Sequence, residues 1–195
     1  METVQFTRMA DGTKEEYALL RGLEAEYAAH LPERILDGLR LLDDGLAGYQ
    51  VTRLGHSLQT ATRAQRDGAD LDMVVAALVH DIGDELAPDN HSQLAAAIVR
   101  PYVRAEVTWT VLMHGLFQLR YYGHHVGLDP EAREQHRDHP WYDTCDRFCA
   151  DWDQTSFDPA YPTEPLEAFA PLVREVFTRP AFDPAILQEP AVPEV

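Results

Sequence analysis

The sequence has few cysteines, few basic residues and no long apolar run. Its only two cysteines are Cys145 and Cys149. They lie four positions apart in a segment with helical periodicity, where a disulfide is geometrically poor, so we expect two buried, reduced thiols. No apolar run approaches the roughly 20 residues that a membrane-spanning helix needs.

Basic residues are outnumbered two to one. Sixteen Lys and Arg stand against 33 Asp and Glu, which gives a formal net charge of −17. This field repels nucleic acid and anionic membrane surfaces, so we expect neither as a partner and expect a small-molecule substrate instead. The N-terminus lacks the basic-then-apolar layout of a signal peptide, and we therefore expect a cytoplasmic protein. The oligomeric state is not indicated.

The apolar periodicity is helical nearly throughout, without an internal repeat or a convincing strand pattern. We predict an all-α, single-domain helical bundle over residues 1–178, followed by a Pro-rich C-terminal tail over residues 179–195. The stretch "LDMVVAALVHDI" is apolar almost all round, which predicts a central buried helix. The predicted helices cover residues 13–31, 32–44, 49–68, 71–82, 91–100, 104–122, 141–154 and 166–177.

What the chain does have is histidine on apolar helical segments. The dipeptide His80-Asp81 closes the predicted central helix, and Gly83 suits a helix end at which consecutive side chains splay around one pocket. Converging helices commonly build dinuclear sites from carboxylates and imidazoles, which suit iron, zinc or nickel. The candidate ligands are His56, His80, His91, His114, the His124-His125 pair, and the aspartates Asp81, Asp151 and Asp153.

The stretch "RLGHSLQTATRAQRDGADLDMVVAALVHDIGD", residues 53–84, resembles the core of HD-domain proteins. In this resemblance His56 is the first histidine and His80-Asp81 is the HD pair. The stretch is most similar to the oxygenase branch that contains the PhnZ-like, phosphonate-cleaving enzymes and, more distantly, myo-inositol oxygenase. In that branch the ligand order is His, His-Asp, His, His, Asp. The ligands surround a mixed-valent pair of iron ions (Fe2+/Fe3+) that uses O2 as co-substrate.

The resemblance implies a role for each ligand in this chain. His56, His80 and a terminal aspartate would bind one iron, and His91 and His114 would bind the other. Asp81 would bridge the two ions, so that His80 and Asp81 form the centre of the catalytic site.

Two assignments stay open. We choose Asp153 as the terminal aspartate because Trp152-Asp153 matches the Trp-Asp step of the family, with Asp151 as the alternative. His124 and His125 are rivals for the metal, because some HD phosphodiesterases use paired histidines.

The chain departs from the PhnZ-like pattern around the substrate. The tyrosine found there ten residues before the first ligand is Leu46 here, so that contact is absent or is made by Tyr49. Asp84 stands where those enzymes carry a basic residue after the HD pair. Gln118 and Phe157 stand where they carry lysines after the fourth histidine and the last aspartate. Each lost charge-assisted contact is worth about 1.5–3 kcal/mol, which argues against a phosphonate held in the same way.

We expect the substrate-binding side chains to suit a neutral or cationic group, since aromatic faces attract ammonium groups. These candidates are Tyr49, Asp84, Gln118 and Tyr121.

The leading functional hypothesis is an O2-dependent di-iron oxygenase that oxidises or cleaves a small substrate bearing a hydroxyl or amine. Hydroxylation and carbon-bond cleavage are not distinguished. The alternative is a metal-dependent HD phosphohydrolase acting on a nucleotide or another phosphoester, in which metals activate water. That reaction needs cationic groups facing the phosphate, and no arginine stands in an evident phosphate-reading motif. A non-catalytic HD-like domain is the third possibility.

Overall fold

The computed structural model describes residues 2–188, and every regular element among them is helical. The all-α prediction is therefore confirmed. No helix in the described part combines the length and apolarity needed to cross a bilayer. The helices are α1 (Lys14–Ala29), α2 (Leu31–Leu41), α3 (Arg53–Arg66), α4 (Leu71–Val79), α5 (His91–Val99), α6 (Ala105–Val126), α7 (Tyr142–Arg147), α8 (Leu166–Phe177) and α9 (Pro184–Leu187). Short 3-10 turns cover Met9–Asp11, Pro88–Asn90 and Ala132–His136.

Helix α4 lies at the centre of the bundle, packed against α3, α6 and α8. Every residue from Met73 to Val79 is buried, because neighbours cover the helix on several sides. Asp70 caps its start by accepting a hydrogen bond from the Met73 amide at 3.0 Å. The helix stops three residues earlier than predicted, and a turn places His80 at the C-cap.

Helix α3 begins at Arg53 rather than at residue 49. The reason is Thr52, whose backbone is extended and whose hydroxyl accepts a hydrogen bond from the Gly55 amide at 3.0 Å. Such a side chain satisfies one of the free amides at a helix start. Tyr49 therefore precedes the helix and belongs to the loop that leads into it.

The single helix predicted over residues 141–154 is two elements. After α7 the chain widens into a π-helical turn, Phe148–Asp153, in which the Gln154 amide donates to the Cys149 carbonyl at 3.1 Å. The wider turn buries Trp152 and Asp153 while Asp151 stays exposed. Apolar periodicity cannot reveal such a turn, because it inserts the extra residue without changing residue type.

The two cysteines are free and buried, as predicted. The Cys149 thiol lies 3.5 Å from the carbonyl oxygen of His114, which joins the π-helical turn to α6. The Cys145 thiol lies 3.7 Å from the carbonyl oxygen of Thr110, which is also in α6.

The first part of the predicted tail is fastened to the bundle. The Arg179 guanidinium donates to Asp72 at 2.7 Å and to the Tyr102 carbonyl at 2.8 Å. The Phe182 amide donates to the Pro101 carbonyl at 2.8 Å. Residues 189–195 lie outside the described part, so the division into a bundle and a tail stays a prediction.

Candidate metal centre

Asp81 lies between two pairs of histidines and faces each pair with a different oxygen. Its Oδ2 atom is 3.5 Å from the Nε2 atoms of both His56 and His80. Its Oδ1 atom is 3.4 Å from Nε2 of His91 and 3.3 Å from Nε2 of His114. A carboxylate in this position can bridge two cations.

Asp153 completes the first group of donors. Its Oδ1 atom lies 3.1 Å from Nε2 of His56 and 3.6 Å from Nε2 of His80. Its Oδ2 atom is buried without a hydrogen-bond partner. We call His56, His80 and Asp153 the first metal position; all three are buried.

The second metal position consists of His91 and His114. His91 is the first residue of α5, and His114 lies in the middle of α6. His114 is buried, whereas the side chain of His91 is 25% exposed. With Asp81, the second metal position has three protein donors, one fewer than the four at the first.

Backbone carbonyls set the tautomers of three of these histidines. A carbonyl can only accept, so each Nδ1 carries the hydrogen and each Nε2 presents a lone pair to the centre. The Nδ1 contacts are His56 with Ser156 at 3.0 Å, His80 with Ala77 at 2.8 Å and His114 with Val111 at 2.7 Å.

The electrostatics of the cluster favour a bound cation. Burial raises the pKa of Asp153, but the charge of His80 and the hydrogen bond from His56 outweigh it and hold that pKa far below its ordinary value. Burial lowers the pKa of His56, but the hydrogen bond to Asp153 outweighs it and raises that pKa overall. Burial raises the pKa of Asp81, but the charge of His80 and the hydrogen bond from His114 outweigh it and hold that pKa well below its ordinary value, so Asp81 and Asp153 are both anionic. The positive charge that lowers these pKa values is a proton on the Nε2 atoms, and a bound cation would take its place.

The donor set fits a pair of transition-metal ions. The ligand atoms of His56, His80 and Asp81 lie within 4.8 Å of one another, and so do those of Asp81, His91 and His114. Imidazole nitrogens and carboxylate oxygens from several helices are the usual ligands of dinuclear sites inside bundles. The unpartnered Oδ2 atom of Asp153 points to the same conclusion, because a buried carboxylate oxygen needs a positive partner.

Gly83 allows α5 to approach the HD turn. A Cβ atom at this position would lie 2.5 Å from the carbonyl oxygen of His91 and 2.8 Å from its Cα atom. A larger residue would push the start of α5 away, and the His91 ring would move with it.

A cavity of about 310 Å³ opens directly onto the ligands. The ligands that border it are His56, Asp81, His91, His114 and Asp153. Its other walls are Tyr49, Arg53, Gly115, Gln118, Tyr121, Tyr122, Gln154 and Phe157. Three of the predicted substrate-binding residues, Tyr49, Gln118 and Tyr121, therefore line the cavity.

Asp84, the fourth predicted substrate-binding residue, does not line this cavity. Its Oδ2 atom lies 2.9 Å from Nε of Arg53, and its Oδ1 atom lies 3.2 Å from Nδ1 of His91. Sequence reasoning did not single out Arg53 as a site residue. The available signal was its place three residues, or about one helical turn, before His56.

An aromatic stack forms one wall. Phe157 stacks on His56 with ring centroids 4.4 Å apart and on Tyr49 at 5.1 Å. The Arg53 guanidinium lies 5.2 Å from the centre of the Tyr49 ring. Tyr49 is therefore engaged by two neighbours, while Leu46 is 64% exposed.

The rival ligands lie elsewhere. Asp151 is exposed and pairs with Arg147 at 3.5 Å. His124 and His125 are exposed in the last turn of α6, with their rings 3.8 Å apart. The structure thus brings together the six ligands chosen from the sequence and leaves these three residues outside.

A comparison with models of protein families identifies the family of this chain. The model of the HD domain matches residues 53–158, which is more than half of the chain and includes all six candidate ligands. The chain belongs to the HD-domain family. HD domains are typically metal-dependent enzymes, and they include both phosphohydrolases and oxygenases. A search of curated proteins found no match to this HD-domain chain.

Proposed function

We propose that this HD-domain protein is an O2-dependent oxygenase with a mixed-valent di-iron centre that oxidises or cleaves a small molecule bearing a hydroxyl or amine. The observation that carries the proposal is the position of Asp81, with one oxygen toward each pair of histidines. The resemblance of residues 53–84 to the PhnZ-like branch supports iron as the metal and O2 as the co-substrate. An iron pair bound there would supply the one-electron chemistry that O2 requires.

The chain itself holds the metals and orders the reactants. Asp81 would hold two cations close together by neutralising part of their mutual repulsion. Both metal positions border the cavity, but the second has fewer protein donors, so a substrate oxygen or nitrogen would add a ligand there. Hydroxylation and carbon-bond cleavage both begin from such a substrate complex.

The cavity walls suit a small, polar substrate. Gln118 and Gln154 offer amide groups, and Tyr121 and Tyr122 offer hydroxyls. Such groups orient a substrate by hydrogen bonds. The stacked rings of Phe157 and Tyr49 line the same cavity and add apolar surface beside these polar groups.

A phosphohydrolase is the second candidate, and Arg53 is the observation that favours it. Arg53 is the one Lys or Arg side chain among the described residues that line the cavity. Its guanidinium already pairs with Asp84, however, and lies 3.5 Å from Asp81. A single, neutralised cation in a chain of net charge −17 is a poor clamp for a phosphate, which favours the oxygenase.

Turnover measurements separate the two functions. Iron-loaded protein is offered a panel of small alcohols, amines and phosphoesters, and both oxygen uptake and phosphate release are recorded. Oxygen uptake in proportion to an oxidised product, with no phosphate released, supports the proposal. Phosphate release that continues without oxygen would overturn it. Asp151→Asn is the control that tests whether a substitution as such alters turnover, because Asp151 lies outside the metal centre.

A further inference from the structure

The carboxylate of Asp84 joins a cation to a metal ligand. Its Oδ2 atom pairs with Nε of Arg53 at 2.9 Å, and its Oδ1 atom lies 3.2 Å from Nδ1 of His91. The side chains of Asp84 and Arg53 are only 14% and 18% exposed. The two oxygens thus face different partners, and the charge of Arg53 holds the carboxylate beside His91 by electrostatic attraction.

Among the four candidate histidine ligands, His91 has the weakest hold on the backbone. Its backbone contact, from Nδ1 to the Pro88 carbonyl, is 3.3 Å long. The corresponding contacts of the three other ligands measure 2.7 to 3.0 Å. His91 is also the most exposed of the four rings. The backbone alone therefore holds His91 weakly.

The Nδ1 hydrogen of His91 is directed at the Pro88 carbonyl, and the Asp84 carboxylate lies beside the same nitrogen as a second, charged partner. A carboxylate placed beside Nδ1 of a ligand histidine does two things. It fixes the orientation of the ring, and it makes Nε2 a stronger donor to the metal. We propose that Asp84, held by Arg53, is a positioning residue that orients and strengthens His91 at the second metal position. The proposal rests on the dinuclear centre proposed above.

The arrangement makes the two metal positions unequal. Both positions share the charge of Asp81, and at the first the further negative charge comes from Asp153, which is itself a candidate ligand. At the second position it comes from Asp84, which acts through the His91 ring and leaves the metal one protein donor short. Negative charge thus reaches the second metal without occupying the side that borders the cavity.

Zinc binding to Asp84→Asn tests this inference without iron, oxygen or substrate. Asparagine keeps the shape of the side chain and an oxygen that can accept the Nδ1 hydrogen, but it removes the charge. We expect affinity at the second metal position to fall roughly 10- to 100-fold, with the first unchanged. Glu85→Gln is the matched control, because it removes the same charge from the exposed neighbouring residue.

Nitrogen-15 NMR of the zinc-loaded protein gives a readout that a merely structural role would not move. The Nδ1 hydrogen of His91 should resonate downfield in the wild type and shift upfield in Asp84→Asn. The signals of His56, His80 and His114 should stay in place. These signals also assign each zinc equivalent to its position. Asp84→Glu, which keeps the charge, should restore part of the lost affinity.

The outcomes divide cleanly. Equal effects of Asp84→Asn and Glu85→Gln, or an equal loss at both metal positions, would overturn the role of Asp84 while leaving the dinuclear centre intact. A wild-type protein that binds fewer than two zinc ions would instead contradict the dinuclear centre, and with it this inference.

Discussion

The Nε2 atoms of His56 and His80 lie 3.1 Å apart, and the Nδ1 atom of each ring points at a backbone carbonyl. With both hydrogens on Nδ1, two lone pairs face each other in a buried site. Only a positive charge between them, a proton or a metal ion, relieves the repulsion. The cluster is therefore more stable with a cation than without one.

Metal loading should consequently stabilise the fold. A ligand that binds only the native state at 100 times its Kd adds about 2.7 kcal/mol, which for a chain of this size is on the order of 5–10 °C in Tm. Differential scanning calorimetry with and without a chelator measures the shift. His125→Gln, a change in an exposed histidine, should show the same shift as the wild type. His56→Gln should show a smaller one.

Asp153→Asn should weaken the first metal position. The substitution keeps the shape of the buried side chain but removes a charged ligand. Residues that only hydrogen-bond to a metal ligand change metal affinity roughly 10- to 100-fold when mutated, so loss of the ligand itself should lower the affinity by at least about 10-fold. Asp151→Asn, two residues away and exposed, should leave affinity unchanged. Metal titration of the two variants makes the comparison. Equal affinities would mean that Asp153 is not a ligand.

Gly83→Ala should impair the second metal position selectively. The added methyl group meets the His91 backbone at 2.5 Å, and such overpacking costs about 1–3 kcal/mol of unfolding free energy. Urea unfolding and a metal titration would record both effects. Gly22→Ala provides the control, because a Cβ atom there meets nothing within 4 Å. It should raise the free energy of unfolding by about 0.5–1 kcal/mol, since alanine is favoured over glycine inside a helix. Unchanged His91 signals in Gly83→Ala would refute the packing argument.

Asp70 makes the stability of α4 depend on pH. Burial raises its pKa, but the hydrogen bonds from Arg104 and the Met73 amide outweigh it and bring that pKa below its ordinary value of 3.8. Because the pKa of Asp70 is lower in the folded state, its stabilisation of the fold is fully present above the pKa of the unfolded state. It is lost as the pH falls through the pKa of the folded state.

Asp70→Asn retains the cap but loses the ion pair, which at an exposed site is worth less than about 1 kcal/mol. In urea unfolding from pH 3 to pH 7, the free energy of unfolding of the wild type should exceed that of Asp70→Asn above pH 4. The two values should converge at the acid end. A gap that widened toward acid would have the opposite sign to this account.

The helical fold was predictable because its signals are local. Thr13 and Glu16 form a capping box at the start of α1, which was predicted to begin at residue 13, and the apolar run of α4 indicated its central place. The π-helical turn was not predictable, since its residues are compatible with an ordinary helix. The late start of α3 was missed for a similar reason, because the Thr52 cap is one of several possible caps in that segment.

The six candidate ligands were implied by the resemblance to the HD-domain oxygenases, and the structure brings their donor atoms together. The contacts around them were less accessible to sequence reasoning. Asp84 was expected to face the substrate, but its orientation depends on Arg53, 31 positions away in the chain. Pairings across such a separation leave no periodic signal in one sequence.

The most direct test of the central claim, a di-iron centre bridged by Asp81, is electron paramagnetic resonance of the anaerobically iron-loaded, half-reduced protein. Iron analysis is made on the same sample. The account predicts two irons per chain and a coupled mixed-valent signal that is lost in Asp81→Ala. One tightly held divalent ion with no redox-active signal would contradict it.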